Sequence, residues 1–433
     1  MDVFDTRTVD AFVELMRDDA FVAMRRAASE APLAYDEFTR LPKPHGISYG
    51  QAWRLLCALR RQLAVTIPLL DDQGRKGWYT PTKSIAENLA ALDRKCRAGS
   101  VLHNAIVSRN STYFLLESAI DDAIEAIRGD GLRIGHERAR ELILEERAPE
   151  TPEERLIVNA RRAMRALDAY DAQPCTPATL RAIHAAVADG MDPQSSPSIP
   201  ERPVHWKHKE RSDEETLALI ARIIDGEGVD RREHPLILAQ GVRHLFMAAL
   251  PLPSWNGTVS AVAMKLLYRK AGLPVLAYVP LMKAQRDWMS GAWRPDGCRA
   301  PEACEDLIDG EVDFTPYVDV YSKLACLELA EMEREFNRMV QRDARLSEEL
   351  RGTIDINHRQ RMLLQQALNN PDAVFRVETH RAMCNIAYAT ARADLLGLAE
   401  LGFLKRTRAG HAFEFTATGD LRRSLDAFLH EEG

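Results

Sequence analysis

Apolar residues recur at helical spacing along most of this chain, and strand-like alternation is confined to short stretches. Residues 50–67 (GQAWRLLCALRRQLAVTI) and 83–98 predict helices, punctuated by the Pro-containing turns at 42–44 and 80–81. A helix begins at Tyr113-Phe114 and runs through FLLESAIDDAIEAIRGDG; GLRIGHERARELILEE and TPEERLIVNARRAMRAL follow as two more. His234-Pro235 reads as the start of another helix, with Pro in its first turn. Residues 320–350 predict one long amphipathic helix with Leu329, Met332, Phe336, Met339 and Val340 on a single stripe. Near the C-terminus, 357–370, 375–384 and 387–401 predict three helices, and Gly402 supplies a C-cap. Residues 403–407 and 411–415 then alternate as a hairpin around Ala409-Gly410. The expected fold is mainly α, with strands only in a short flap and in this hairpin.

Composition narrows the class without naming a function. A length of 433 residues suggests two to four domains, and 46% hydrophobic content can fill a sizeable core. A net charge of −7 with 28% charged residues describes an ordinary water-soluble chain. No run of 18 apolar residues is present, so no membrane span is expected. The start, MDVFDTRTVD, is acidic and lacks the apolar segment of a signal peptide. Seven scattered cysteines, with no C-x-x-C, suit reduced thiols in a cytoplasmic protein. His205 and His208 lack further ligands at metal spacing, so neither a metal nor a cofactor is expected.

The most informative segment is Leu250-Pro251-Leu252-Pro253-Ser254-Trp255-Asn256-Gly257-Thr258-Val259-Ser260-Ala261. It resembles the signature loop of the Fic family, H-P-F-x-[D/E]-G-N-G-R-x-x-R. His234-Pro235-Leu236 offers a competing register, but spacing decides against it. The family's His precedes the Ala of a helix-ending A-G-L-P by about 21 residues, and counting back from Ala271-Gly272-Leu273-Pro274 reaches Leu250. Fic enzymes transfer AMP or another phosphate-containing group from a nucleotide to a protein hydroxyl. The resemblance implies a general base at Leu250, a metal-holding carboxylate at Ser254 and phosphate-binding Arg residues at Thr258 and Ala261. Leucine accepts no proton, and serine is a poor ligand for a hard divalent cation. Trp255 stands where the family has the Gly of a phosphate cradle, and its indole is expected to fill that cradle. Pro251, Asn256 and Gly257 keep the turn. The base, the metal ligand and both cations are gone, and His244 is the nearest imidazole upstream.

A second stretch extends the likeness to the two-domain bacterial Fic type. There a helix ends in an inhibitory S-x-x-x-E-G, which falls here on Ala126-Ile127-Arg128-Gly129-Asp130-Gly131. Ala126 replaces the Ser, and Asp130 shortens the Glu that would clamp the Arg replaced by Ala261. Gly129 and Gly131 also read simply as a helix C-cap. Asn159 matches an Asn of the family's following segment. Residues 1–110 resemble that type's N-terminal region, and 203–207 (Pro-Val-His-Trp-Lys) could be the remnant of its β-hairpin flap.

The C-terminal order of three helices and a hairpin resembles a winged helix-turn-helix. AYATARADLLGLAELGFLK is similar to the S-x-x-T-A-x-R-D-L-x-x-L-x-E-x-G-x-L pattern of such modules. Residues 357–413 hold eight basic and four acidic side chains within a chain of negative net charge. Tyr388, Thr390 and Arg392 would lie on the recognition helix facing base edges, and Lys405, Arg406 and Arg408 on the wing against phosphate.

The expected organisation is an N-terminal helical region (1–110), a Fic-like helical domain (111–319), a connecting helix (320–350) and a winged helix (351–433). Three functions are compatible with it. One is a DNA-binding regulator with a catalytically silent Fic-like scaffold, homodimeric through 320–350. Another is a divergent Fic nucleotidyl transferase. The third is an interaction protein, a partner or antagonist of an active Fic protein.

Overall fold

The computed structural model describes residues 6–70, 76–108, 120–144, 148–192, 212–296, 298–299, 306–308, 311–349, 356–369, 373–384, 386–409, 412–419, 421 and 425. It is mainly helical. The N-terminal elements are α1 (Thr6–Arg17), α2 (Asp19–Glu30), α3 (Tyr35–Phe38) and α4 (Tyr49–Leu63). Ser48 caps α4 through a reciprocal pair with Gln51, the expected chemistry for an S-x-x-Q start. Phe21, Met24, Phe38, Ala52 and Leu56 form a small core of their own.

The main core is built around α12 (Pro235–Ala249) and α13 (Asn256–Lys270), a helical hairpin. Every residue of α13 from Asn256 to Tyr268 is buried, so this helix has no solvent face. Around it pack α7 (Ile120–Gly129), α9 (Pro152–Arg165), α10 (Pro177–Val187) and α11 (Asp213–Ile224). Helices α5 (Lys83–Cys96), α6 (Val101–Ser108), α8 (His136–Leu144) and α14 (Leu281–Met289) complete the helical shell. His234 caps α12 by accepting the Leu236 N–H at 3.1 Å, with Pro235 at the first position, as the sequence predicts.

The structure departs from the sequence expectations in several places. The helix predicted over 50–67 stops at Leu63, and 65–70 is strand β1 (Val65–Leu70). The run Ala-Val-Thr-Ile continues the apolar pattern, but its β-branched residues pair with β2 (Lys76–Tyr79) instead. With β3 (Asp306–Ile308) and β4 (Glu311–Asp313) they make a sheet ordered β1-β2-β4-β3, so strands are not confined to a flap and a wing. Asp313 is wholly buried and anchors this sheet, accepting from Arg60 at 2.6 Å and from the Thr315 N–H at 2.9 Å.

The long helix is α15 (Thr315–Glu349), so the boundary expected at 319/320 falls inside it. Its stripe is not spare: Leu329, Met332 and Phe336 lie in the main core, with Met339 and Val340 packed against it. Val65, Ile67, Tyr79, Ile85, Leu92 and Ile106 belong to that same core, so the N-terminal region is not closed off at residue 110.

The C-terminal unit comprises α16 (His358–Asn369), β5 (Val374–Arg376), α17 (Val377–Cys384), α18 (Tyr388–Glu400), β6 (Leu404–Ala409) and β7 (Ala412–Ala417). Its sheet is ordered β5-β7-β6, so the segment predicted as helix from 375 begins as a strand. A separate core holds it together, with Leu363, Leu364, Phe375, Leu395, Leu398, Phe403 and Phe415 inside. Gly402 takes φ +80° after α18, as a C-cap requires. The flap segment 203–207, with His205 and His208, and the helix start at Tyr113-Phe114 lie outside the described residues.

Candidate functional site

The signature-like loop joins α12 to α13 and is tightly folded. Leu250 (φ 47°) and Trp255 (φ 57°) are the two non-glycine residues with positive φ among the described residues. A bulky side chain in that region costs about 1–2 kcal/mol, so the loop needs a brace. Asn256 supplies it: its Oδ1 accepts the Leu252 N–H at 3.1 Å, and its Nδ2 donates to the Leu252 carbonyl at 2.9 Å. Leu250, Leu252, Trp255, Asn256 and Thr258 are buried, while Ser254 is partly open to solvent.

The end of α7 meets this loop directly. Gly131 (φ +83°) ends the helix, and the Leu132 N–H donates back to the Ile127 carbonyl at 3.1 Å, closing the C-cap. That turn aims Asp130 at the N-terminus of α13. Its Oδ1 accepts the Gly257 N–H at 2.7 Å, and its Oδ2 accepts the Thr258 N–H at 2.8 Å and the Thr258 hydroxyl at 2.7 Å. A helix N-terminus presents free N–H groups and the positive end of the dipole, which is what a phosphate would use. Here the chain's own carboxylate takes that position. Burial holds the Asp130 carboxyl above the ordinary aspartate range, against the pull of its three hydrogen bonds and of Arg243.

The fit between α7 and α13 depends on glycine. A Cβ on Gly257 would stand 2.8 Å from the Gly129 carbonyl carbon and 3.0 Å from the Asp130 nitrogen. One α7 turn pair further back, Asp122 accepts from Lys265 Nζ of α13 at 3.1 Å and from the Met282 N–H at 3.0 Å, and Lys265 also donates to the Ala277 carbonyl at 2.5 Å. The helices are thus stapled at both ends of their contact.

Several sequence-selected residues therefore come together: Asp130 meets Gly257 and Thr258, and Ala126 meets Ala261. Ala126 and Ala261 share one small apolar cluster with Met282. These are the positions where the Fic likeness would place the inhibitory Ser and a phosphate-binding Arg, and both are now packing. The indole of Trp255 does not fill the anion position as expected; it lies in the main core, and Asp130 occupies the N–H groups instead.

Two neighbours were missed. Arg243, on α12, brings its Nη2 to within 3.8 Å of a Cβ placed on Gly129, and burial lowers its guanidinium below its ordinary value. His184, on α10, places Nε2 at 3.1 Å from the Ser254 hydroxyl. It lies 70 residues away in sequence, so spacing could not have found it. The sequence points instead to His244, upstream on α12. Asn159 has a positional role, donating to the carbonyls of Val187 and Asp189 at 2.9 and 2.8 Å at the end of α10. Among the described residues, no group of three or more His, Cys, Asp or Glu side chains is placed to hold a metal ion.

In the C-terminal unit, Tyr388 and Arg392 are exposed on α18, with Thr390 half-buried between them. Lys405, Arg406 and Arg408 are exposed on β6, and the Arg406 guanidinium lies 4.9 Å over the Phe413 ring. Two of the other cations are committed internally. Arg376 pairs with Glu414 at 2.5 Å. Arg359 pairs with buried Asp394 at 2.7 Å, which also binds Asn357 at 2.7 Å and His380 at 3.0 Å.

No protein-family model matches the chain, and no curated protein matches it. No helix among the described residues is long and apolar enough to cross a membrane.

Proposed function

We propose that this protein is a cytoplasmic DNA-binding transcriptional regulator built on a catalytically silent Fic-like scaffold. The observation that carries the silent half is Asp130, whose carboxylate occupies the N–H groups of Gly257 and Thr258. An incoming triphosphate would have to displace a carboxylate held by three hydrogen bonds. It would then find no cation at Thr258 or Ala261 and no base at Leu250. Positioning and charge stabilisation, which dominate phosphoryl-type transfer, lose the residues that the family's motif would supply at these positions.

The reading half rests on the C-terminal unit, taken as a winged helix-turn-helix. Its second and third helices, α17 and α18, are followed by the β6–β7 hairpin, with Tyr388, Thr390 and Arg392 near the start of α18. Recognition helices of such units place N-terminal side chains at base edges. Lys405, Arg406 and Arg408 on the adjoining strand suit phosphate contacts. The stripe on α15 is consumed by the chain's own core, so a two-fold dimer on DNA would need another surface.

Two measurements test the proposal together. Incubation with labelled ATP should give no transfer to the protein itself or to other proteins, and ATP should not raise its melting temperature. Selection of bound fragments from the source genome should enrich discrete sites; transfer of label, or a selection that enriches none, would overturn the corresponding half.

A further inference from the structure

Ser254 is the member of the loop that the silent-scaffold reading leaves unused. Its hydroxyl is not folded into the loop's own bonding; it meets His184 Nε2 at 3.1 Å. We propose that Ser254 and His184 form a nucleophile–base pair that accepts an acyl group from an activated carboxylic ester. This inference is independent of the DNA reading and concerns a different reaction from nucleotidyl transfer.

The distance is within the range for a base that takes a proton from a hydroxyl nucleophile. Both groups are partly exposed, so a reagent can reach them. Both also stand on fixed supports. Helix α10 is capped at its start by the Thr176–Thr179 pair and held at its end by Asn159. The loop is held by the two Asn256–Leu252 bonds and by Trp255 in its positive-φ conformation. Backbone held in that region, next to a reactive side chain, keeps the side chain in place while the reaction proceeds.

The electrostatics suit an alkoxide. Ser254 lies one residue before the N-cap of α13, whose dipole favours negative charge there. Asp130 uses the N–H groups of Gly257 and Thr258. Those of Trp255 and Asn256 meet no acceptor among the described residues and remain for a developing oxyanion. Burial holds His184 below the usual histidine range, against a smaller upward pull from the Ser254 backbone, and this favours the neutral imidazole that can take a proton.

In the step itself, Oγ of Ser254 attacks the ester carbonyl and an Oγ–C bond forms. His184 Nε2 takes the hydroxyl proton and passes it to the departing alkoxide as the ester C–O bond breaks. Among the described residues no carboxylate pairs with His184, so the imidazole lacks the acidic third group that orients it in efficient triads. The pair should acylate and then hydrolyse slowly, giving a burst rather than sustained turnover.

The test uses the full chain with a fluorophosphonate probe and with p-nitrophenyl acetate. With the probe, an Oγ–P bond forms, the P–F bond breaks, fluoride leaves and His184 takes the proton. Peptide mapping should place one label per chain on Ser254. The variant His184→Gln should label about 100-fold more slowly, the loss expected for removing a general base, and Ser254→Ala should lose the label and the p-nitrophenolate burst. Wild-type labelling should also slow as acid protonates an imidazole, which keeps the test decisive if His184→Gln fails to fold. An unlabelled Ser254 in the folded wild type, a His184→Gln rate equal to wild type, or a rate independent of pH would each overturn the proposal.

Discussion

Replacing Asp130 by Ala should weaken the main core by about 2–4 kcal/mol, even though the side chain is only partly buried. The carboxylate does two jobs. For the backbone N–H groups of Gly257 and Thr258 it acts as the cap that α13 otherwise lacks, since Trp255 at the cap position offers no side-chain acceptor. Loss of such a cap costs about 0.5–2 kcal/mol. For the Thr258 hydroxyl at 2.7 Å it is a charged partner, and that bond contributes about 1.5–3 kcal/mol. The desolvation that raises the Asp130 carboxyl offsets part of this, which brings the upper end of the range down to about 4 kcal/mol. Urea unfolding at pH 7, followed by circular dichroism, measures the loss as a shift in midpoint at constant slope. A double-mutant cycle with Thr258→Val isolates the side-chain bond and should show a coupling of about 1 kcal/mol or more. If Asp130→Ala unfolds within about 0.5 kcal/mol of wild type, a margin typical of surface changes, or if the two substitutions are additive, Asp130 is not the cap of α13.

Three further outcomes follow from the same geometry. Gly257→Ala puts a Cβ 2.8 Å from the Gly129 carbonyl carbon, so backbone must move; a loss of about 1–3 kcal/mol in the same unfolding assay is expected from overpacking. Glu328 is pushed up to about 7, first by burial, with Lys283 opposing and Asp121, Asp122 and Glu331 adding. Its folded form holds the proton more tightly than the unfolded chain does, so the stability this contributes is full below the ordinary glutamate value and is lost as pH rises through about 7. Melting temperatures of wild type and Glu328→Gln should therefore diverge between pH 5 and pH 8, with the variant the more stable at the upper end. Asp394→Ala leaves buried His380 and partly exposed Arg359 without their shared carboxylate and should cost the C-terminal unit about 1–3 kcal/mol, seen as rapid proteolysis of that unit with the main core intact.

Much of the helical framework is legible in the sequence because its signals are local. His234-Pro235 marks the start of α12 by side-chain capping, and Gly131 and Gly402 mark helix ends by a conformation that glycine adopts freely. The N–H groups that Asp130 occupies were not legible. The shortened Glu suggests a lost clamp, and only the approach of Gly129 to Gly257 turns the carboxylate onto the helix N-terminus. Trp255 misleads for a related reason: its position implies a filled cradle, while its positive φ turns the indole into the core. The β1–β4 sheet is missed because β3 and β4 are three residues long each, and β4 joins β2 across more than 200 residues of chain. The stripe on α15 is correctly placed, but periodicity does not say whether a partner or the chain's own core covers it.

The account is tested most directly by DNA binding of the full chain to fragments selected from its source genome, measured across salt concentrations. A log–log slope near −0.9 per phosphate contact is the signature of phosphates neutralised by lysine and arginine. Replacing Arg406 and Arg408 by Ala should flatten the slope by about one to two units and weaken every fragment alike. Arg392→Ala should leave the slope nearly unchanged and lose discrimination between selected and random fragments, by about 1–3 kcal/mol. Enriched sites with that division of effects would support DNA recognition by α18 and β6. No enriched site, or a slope and selectivity indifferent to all three substitutions, would contradict it.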